Sequence, residues 1–204
     1  MVLMSTAPNA SARALKPVTS RGMTQTDTSD STEATAGTKP TATNDNPGPT
    51  ALLWEKFSDS TIKRGLFSAL YMVKAPYFRT VMPRVREAVP GRCVVRLGKW
   101  WGVQNHIGTF HVIAGLNGAE AAMGLLCEVT VPDTHRWIPR GMRADYPKKS
   151  TGGLTVTATA DFPDFSTITR ETGGQLVTID CQLVDDAGVE PITAEIDVWV
   201  TAKK

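Results

Sequence analysis

Large apolar side chains are nearly missing from the N-terminal quarter of this sequence. The first fifty residues contain no phenylalanine, tryptophan, tyrosine or isoleucine, and small and polar residues dominate them. Such a segment cannot offset its loss of conformational entropy by burying surface. We therefore predict a disordered, low-complexity tail over residues 1–50 and one folded domain over residues 51–204.

Cysteine is also scarce. The three cysteines, Cys93, Cys127 and Cys181, are an odd number and show no C-x-x-C spacing. This pattern fits neither a disulfide framework nor a zinc site. We expect reduced, buried thiols and no metal site.

Positive and negative side chains are nearly equal in number, and the sequence has no long apolar run. Lys and Arg number 22 and Asp and Glu number 20, so the net charge gives no reason to expect a nucleic acid or an anionic membrane as a partner. No apolar run approaches the length of a bilayer span, and the N-terminus lacks the apolar stretch of a secretory signal. These absences predict a cytoplasmic protein without a membrane span.

Apolar residues at helical spacing between positions 52 and 71 predict two short helices. Pro76, Pro83 and Pro90 interrupt the next stretch, where residues 81–89 are expected to form a short helix before a turn at Pro90 and Gly91. Residues 93–97 are rich in β-branched and apolar side chains, which predicts a first strand after that turn.

One long helix is expected over residues 109–126, which are almost all apolar or small, so it should be buried nearly all round. Four strands are predicted after it, over residues 137–146, 154–162, 175–184 and 191–202. Alternating side chains in the second and fourth of these are typical of antiparallel strands with one exposed face. The pattern indicates an α+β domain.

Residues 105–111 read Asn-His-Ile-Gly-Thr-Phe-His, and Glu120 follows nine residues after His111. This stretch resembles the Asn-x-x-Gly-Thr-x-His pattern of hotdog-fold thioesterases, which is followed by an acidic residue on the central helix. The region from Arg92 to Lys204 is compatible with that superfamily and most similar to DUF4442, a family of uncharacterised function. The resemblance implies a hotdog fold, in which an antiparallel sheet wraps around a long central helix, here with N-terminal helices and the disordered tail.

The resemblance also implies a thioesterase of lipid metabolism that hydrolyses acyl-CoA or an acyl-carrier-protein thioester without a metal or cofactor. Hotdog enzymes usually build their sites between two subunits, so a homodimer or a dimer of dimers is expected. A non-catalytic acyl-CoA or lipid-binding protein is the alternative. It is favoured by Val112 and Ile113, which stand where many relatives carry two glycines after the motif histidine.

Thioester hydrolysis requires an activated water and a stabilised carbonyl oxygen. Thr109 is expected to cap the long helix, and the N–H groups of its first turn, around His111 and Val112, are a candidate oxyanion hole. Glu120 lies about two and a half turns beyond His111, where apolar neighbours should raise its pKa towards that of a general base. A structural ion pair with Arg140 or Arg143 is the alternative for Glu120.

Five further residues are candidates for the site, and His111 has a second candidate role. Asn105 either orients the water or thioester carbonyl or forms a turn with its own backbone, and Gly108 belongs to the same substrate-binding loop. Asn117 precedes Glu120 by three residues and so shares its helix face. Thr134 and His135 begin the next strand, where related enzymes often supply a polar side chain from the partner subunit. His111 is either a second proton-transfer group or a packed, hydrogen-bonded residue.

Overall fold

The structure is a computed structural model that describes residues 46–204. The predicted disordered tail lies outside these residues apart from its last five positions. Within those five, Pro49 and Thr50 already belong to a helix. Three α-helices are present in the described part of the chain: α1 (Pro49–Phe57), α2 (Thr61–Lys74) and α3 (Val112–Thr130).

Helices α1 and α2 confirm the two short helices predicted between residues 52 and 71. The hydroxyl of Ser60 accepts the N–H of Lys63 at 3.2 Å and so caps the start of α2. The side of α2 that carries Phe67, Ser68 and Tyr71 is buried. A short 3-10 helix, Pro76–Thr80, follows directly, since a proline has no N–H with which to continue the α-helical hydrogen bonding.

Six strands form one antiparallel sheet in the order β1-β2-β4-β5-β6-β3. Their bounds are β1 (Arg84–Val89), β2 (Arg92–Leu97), β3 (His135–Asp145), β4 (Leu154–Thr159), β5 (Gln175–Asp185) and β6 (Ile192–Ala202). The sheet packs around α3, which contacts β1, β2, β4, β5 and β6. This is the α+β hotdog architecture that the motif and the element order predict.

The prediction of a helix over residues 81–89 is wrong. Residues from Arg84 onward form β1, which pairs with β2 across the turn at Pro90 and Gly91, so the strands begin before that turn. Val85 lies opposite Val95, and both side chains are buried in the core. The pairing partner therefore decides the conformation of a segment whose own sequence is ambiguous.

Helix α3 begins at Val112, three residues later than predicted, and thirteen of its nineteen residues are buried. Two glycines allow the sheet to approach it closely. A Cβ atom at Gly118 would lie 2.2 Å from Cδ1 of Leu97, and one at Gly115 would lie 2.5 Å from Cδ1 of Ile192. By length and composition α3 is apolar enough to span a membrane, but two-thirds of it is buried inside the fold, as expected of a core helix.

Strand β3 lies at one edge of the sheet. It pairs with β6 along its length, and no strand among residues 46–204 pairs with its other side. A register shift between Pro139 and Gly141 interrupts the pairing. Most β3 side chains are exposed, including Ile138 at 56% and Met142 at 38%. An open strand with exposed apolar side chains is suited to pairing with another strand.

Candidate active site

The segment before α3 is a closed loop organised by Asn105. Its side-chain oxygen accepts the N–H groups of Ile107 and Thr109, each at 3.1 Å, and its amide nitrogen donates to the hydroxyl of Thr109 at 2.7 Å. The main-chain N–H of Asn105 also donates to the carbonyl oxygen of Thr109. Of the two interpretations of Asn105, these contacts favour turn formation, although its second amide N–H makes no bond to the described residues.

Gly108 provides the conformation that this loop requires. Its φ angle is +76°, in the left-handed region, and its N–H donates to the carbonyl oxygen of Asn105 at 3.0 Å. A side chain at this position would strain the backbone. Gly108 is exposed and Thr109 is half-buried, so the loop lies at the surface of the single chain.

The prediction that Thr109 caps α3 is wrong, because the Thr109 hydroxyl is bonded to Asn105 instead. The N-cap residue is His111, whose Nδ1 accepts the N–H of Ile113 at 3.2 Å. This contact makes His111 a hydrogen-bonded capping residue, although its ring is exposed. The main-chain N–H of His111 donates to the carbonyl oxygen of Val103 at 2.8 Å and is therefore not free for an oxyanion.

The N–H of Val112 remains the candidate donor at the start of α3. It has no acceptor among the described residues, and it lies at the positively polarised end of the helix. The neighbouring side chains are those of Val112, which is half-buried, and Ile113, which is 55% exposed. Two β-branched side chains therefore border this helix end.

Glu120 is exposed, so the desolvation expected from its apolar neighbours is not found in the single chain. It makes no hydrogen bond and no ion pair with any residue from 46 to 204. The alternative pairing with Arg143 or Arg140 is also wrong. Arg143 binds Glu195 and Asp197, and Arg140 stacks over the ring of Trp199.

A cavity of about 310 Å³ opens beside Glu120. Its apolar walls come from α2, the 3-10 helix, α3 and β3, through Tyr71, Phe78, Met123, Trp137 and Pro139. No sequence motif marks these residues as part of the site. Tyr71 belongs to a helical apolar pattern, and no local signal in the sequence shows that α2 lies against α3.

Two further ionic side chains, Lys74 and Glu128, also line the cavity. Lys74 donates to Oε2 of Glu128 at 2.7 Å, and the hydroxyl of Thr50 donates to the same oxygen at 2.6 Å. These contacts join α1 and α2 to the C-terminal part of α3. Glu120 is thus the carboxylate of the cavity that has no cationic partner in the described part of the chain.

Asn117 is buried on the helix face of Glu120. Its amide nitrogen donates to the hydroxyl of Thr80 at 2.8 Å, and Thr80 in turn donates to the carbonyl oxygen of Tyr77. The side-chain oxygen of Asn117 has no hydrogen-bond partner in the described residues. Asn117 is therefore held by the segment that follows α2, and it does not line the cavity.

Thr134 and His135 lie outside the cavity lining. One ring nitrogen of His135 is 2.9 Å from the hydroxyl of Thr134, and the other is 2.9 Å from the carbonyl oxygen of Ile168. The ring also lies against Phe165. Within the single chain these two residues join β3 to the segment before β5.

The family model of DUF4442, a domain of unknown function, matches residues 63–200, which run from the first turn of α2 into β6. The chain belongs to the DUF4442 family. In this DUF4442 protein, Glu120 lies beside an apolar cavity within a hotdog fold. No protein among those with curated functions matches this DUF4442 chain.

Solved structures similar to this DUF4442 protein share its fold. The structural-genomics protein APC5556 is 30% identical, covers 76% of this chain and 99% of its own, and has a TM-score of 0.63. PA5026 of Pseudomonas aeruginosa, a protein of unknown function described as a probable thioesterase, is 20% identical, with coverages of 78% and 99% and a TM-score of 0.63. The thioesterase SAV0944 of Staphylococcus aureus is 16% identical, with coverages of 62% and 98% and a TM-score of 0.53.

Proposed function

We propose that this protein hydrolyses acyl thioesters of coenzyme A or of an acyl-carrier protein, with Glu120 as the general base. The observation that carries the proposal is the unpaired carboxylate of Glu120 on the wall of a largely apolar cavity. A carboxylate without a structural partner is free to accept a proton, and apolar walls suit an acyl chain. The setting implied is a cytoplasmic enzyme of lipid metabolism.

The reaction needs no metal or cofactor. Glu120 takes a proton from a water molecule, whose oxygen attacks the thioester carbonyl carbon. Negative charge then develops on the carbonyl oxygen, and the N–H of Val112 at the start of an α3 helix is the candidate donor to it. When the intermediate collapses, the C–S bond breaks, and the departing thiolate receives the proton held by Glu120. The products are a carboxylic acid and a free thiol.

Two copies of the chain are needed for this site. Val112 and Glu120 are eight residues apart on one straight helix, a separation of about 12 Å along its axis. That is too far for both groups to act on one thioester carbonyl. The open edge of β3 offers the surface for a homodimer, in which α3 of one subunit supplies the N–H and α3 of the other supplies Glu120. A dimer of dimers would repeat the arrangement.

Related structures support the reaction class. PA5026 is described as a probable thioesterase and SAV0944 as a thioesterase. SAV0944 was studied with a glutamine replaced and, fifteen residues later in its sequence, with a glutamate replaced. Asn105 and Glu120 are also fifteen residues apart. The match suits a site in which the amide of Asn105 and the carboxylate of Glu120 both face the thioester.

The deciding experiment measures thiol release from acyl-CoAs of two to sixteen carbons by the wild-type protein, Glu120→Gln and Glu55→Gln. Glu55 is the control, because it is an exposed glutamate on α1 outside the cavity. We expect turnover by the wild type and by Glu55→Gln, and a loss of at least about 100-fold in kcat for Glu120→Gln. Equal turnover by the two variants would exclude Glu120 as the base.

A non-catalytic acyl-CoA or lipid-binding protein is the second candidate. Val112 and Ile113 favour it, because their β-branched side chains border the helix end at which a thioester must approach the backbone. The loop bonds of Asn105 favour it too, since they occupy most of the amide. Acyl-CoA binding without thiol release at any chain length would select this function.

A further inference from the structure

The N-terminal helical segment supplies part of the cavity that contains Glu120. Tyr71 of α2 and Phe78 of the 3-10 helix line one side, and Trp137 of β3 lines another. We propose that this cavity binds the acyl chain and that these three aromatic residues, together with Gly124, limit the chain to medium length. The proposal rests on the proposed function for the thioester head group, but its experiment does not require hydrolysis.

The cavity follows one face of α3, from Glu120 to Glu128. Met123 and Gly124 lie three and four residues after Glu120, so they are its neighbours on the helix surface, and both line the cavity. A thioester carbonyl held near Glu120 would therefore direct its acyl chain along these two residues. Apolar walls on this path reward burial of each methylene group.

Gly124 leaves the space that the chain requires. A Cβ atom at this position would lie 3.2 Å from the hydroxyl oxygen of Tyr71 and 3.6 Å from Cη2 of Trp137. Any larger side chain would extend from there into the cavity. Its neighbours cannot easily withdraw, because the Tyr71 hydroxyl is bonded to the carbonyl oxygen of Ala121 and its ring stacks on Phe78 at 5.5 Å.

The volume of the cavity sets the expected length of the acyl chain. A cavity of about 310 Å³ holds roughly ten groups of the size of a water molecule, and a methylene group has about that size. The ion pair between Lys74 and Glu128 also belongs to the lining, and an alkyl chain that passed it would desolvate both charges. Chains of about eight to ten carbons should fit, whereas longer ones must leave their ends in water.

The experiment measures binding of S-alkyl-CoA thioethers with four to sixteen carbons by isothermal titration calorimetry. The proteins are the wild type, Gly124→Val, Phe78→Ala and the control Phe162→Ala. Phe162 matches Phe78, because both are half-buried phenylalanines packed against an aromatic neighbour, but Phe162 lies outside the cavity. Circular dichroism verifies that each variant is folded.

We expect the wild type to gain affinity by about fourfold per methylene up to about ten carbons and then to level off. Gly124→Val should move this limit to shorter chains, Phe78→Ala should move it to longer chains, and Phe162→Ala should leave it in place. If Gly124→Val does not fold, the shift in Phe78→Ala decides the outcome. Absence of binding at every length, or a limit that neither cavity variant moves, would overturn the proposal.

Thioethers are not hydrolysed, so this result is separate from the test of Glu120. A chain-length limit that moves as expected, in a protein that releases no thiol from acyl-CoAs, would retain the acyl cavity and reject the thioesterase. Alternatively, thiol release could depend on Glu120 while Gly124→Val and Phe78→Ala leave the chain-length limit unchanged. That result would retain the thioesterase and place the acyl chain outside this cavity.

Discussion

The hydroxyl of Tyr71 donates a hydrogen bond to the main-chain oxygen of Ala121 at 2.9 Å, in the buried contact between α2 and α3. This bond joins the N-terminal helices to the central helix at the residue directly after Glu120. Burial raises the pKa of Tyr71 well above its ordinary value of 10.0, so the phenol remains protonated and able to donate. The ion pair between Lys74 and Glu128 is a second contact that joins α2 to α3.

Replacing Tyr71 with phenylalanine should reduce the free energy of unfolding by about 1 kcal/mol, because one buried hydrogen bond is lost while the ring is kept. Guanidinium unfolding monitored by circular dichroism measures the change. Tyr77→Phe is the matched control, since Tyr77 is 70% exposed, and its hydroxyl makes no hydrogen bond to the described residues. Equal stability of the two variants would show that the bond to Ala121 does not hold α2 in place.

Replacing Asn105 with aspartate separates its structural role from a catalytic one. A carboxylate can still accept the N–H groups of Ile107 and Thr109, and the Thr109 hydroxyl can donate to it. The loop should therefore remain folded, with a midpoint of thermal unfolding close to that of the wild type. The amide N–H that would contact the thioester or the water is lost.

If that N–H acts in catalysis, Asn105→Asp should lower kcat by about tenfold or more, while Asn105→Ala loses stability as well as activity. Thermal unfolding and thiol release on the same samples distinguish the two effects. Wild-type turnover by a stable Asn105→Asp would limit Asn105 to building the loop.

A substitution at Ile138 tests whether two chains form a dimer through the edge of β3. Ile138, Trp199 and Leu176 lie opposite one another in a single row across β3, β6 and β5, and the exposed fractions of Ile138 and Leu176 are 56% and 54%. Ile138→Arg places a charge on the open edge, whereas Leu176→Arg places the same charge on β5, two strands away from that edge. We expect Ile138→Arg alone to weaken the dimer and to lower turnover.

Light scattering coupled to size-exclusion chromatography measures the mass of each variant, and thiol release is recorded at the same protein concentrations. If Ile138→Arg is dimeric and has normal activity, the dimer interface does not include the edge of β3. A wild-type protein that is active as a monomer would contradict the two-subunit site.

The three cysteines should be unreactive in the folded protein. Cys93 and Cys127 are fully buried and Cys181 nearly so, and all three are free thiols. Burial raises the pKa of each above its ordinary value of 9.0, to about 12 for Cys181. A thiol-specific reagent should modify none of them at pH 8 in buffer and all three in guanidinium. Rapid modification of the folded protein would contradict the buried arrangement.

The same pKa shifts predict the alkaline limit of stability. The folded state holds each thiol proton more tightly than the unfolded state does, so this contribution is fully present below pH 9 and is lost as the pH rises above it. Each thiol can lower the free energy of unfolding by up to about 1.4 kcal/mol per pH unit in that range. Urea unfolding between pH 7 and pH 11 measures the slope, and a flat profile would contradict the burial of the thiols.

Part of the site could be predicted because its signals are local. The spacing from His111 to Glu120 places both on one helix, whatever surrounds that helix. The cap could not be predicted in the same way. Thr109 and His111 are both suited to the start of α3, and the choice depends on Asn105, which binds the hydroxyl of Thr109 in the folded loop.

The sequence by itself determined the α+β class, the two N-terminal helices, the buried central helix and the positions of the last five strands along the chain. These features follow from periodicity and turn residues, which act within short segments. Only the tertiary structure decided that residues 84–89 are a strand, because their partner is β2. It alone brought Tyr71, Phe78 and Trp137 together around Glu120. A cavity is formed by residues far apart in the chain, and no local pattern encodes which distant surfaces will pack against one another.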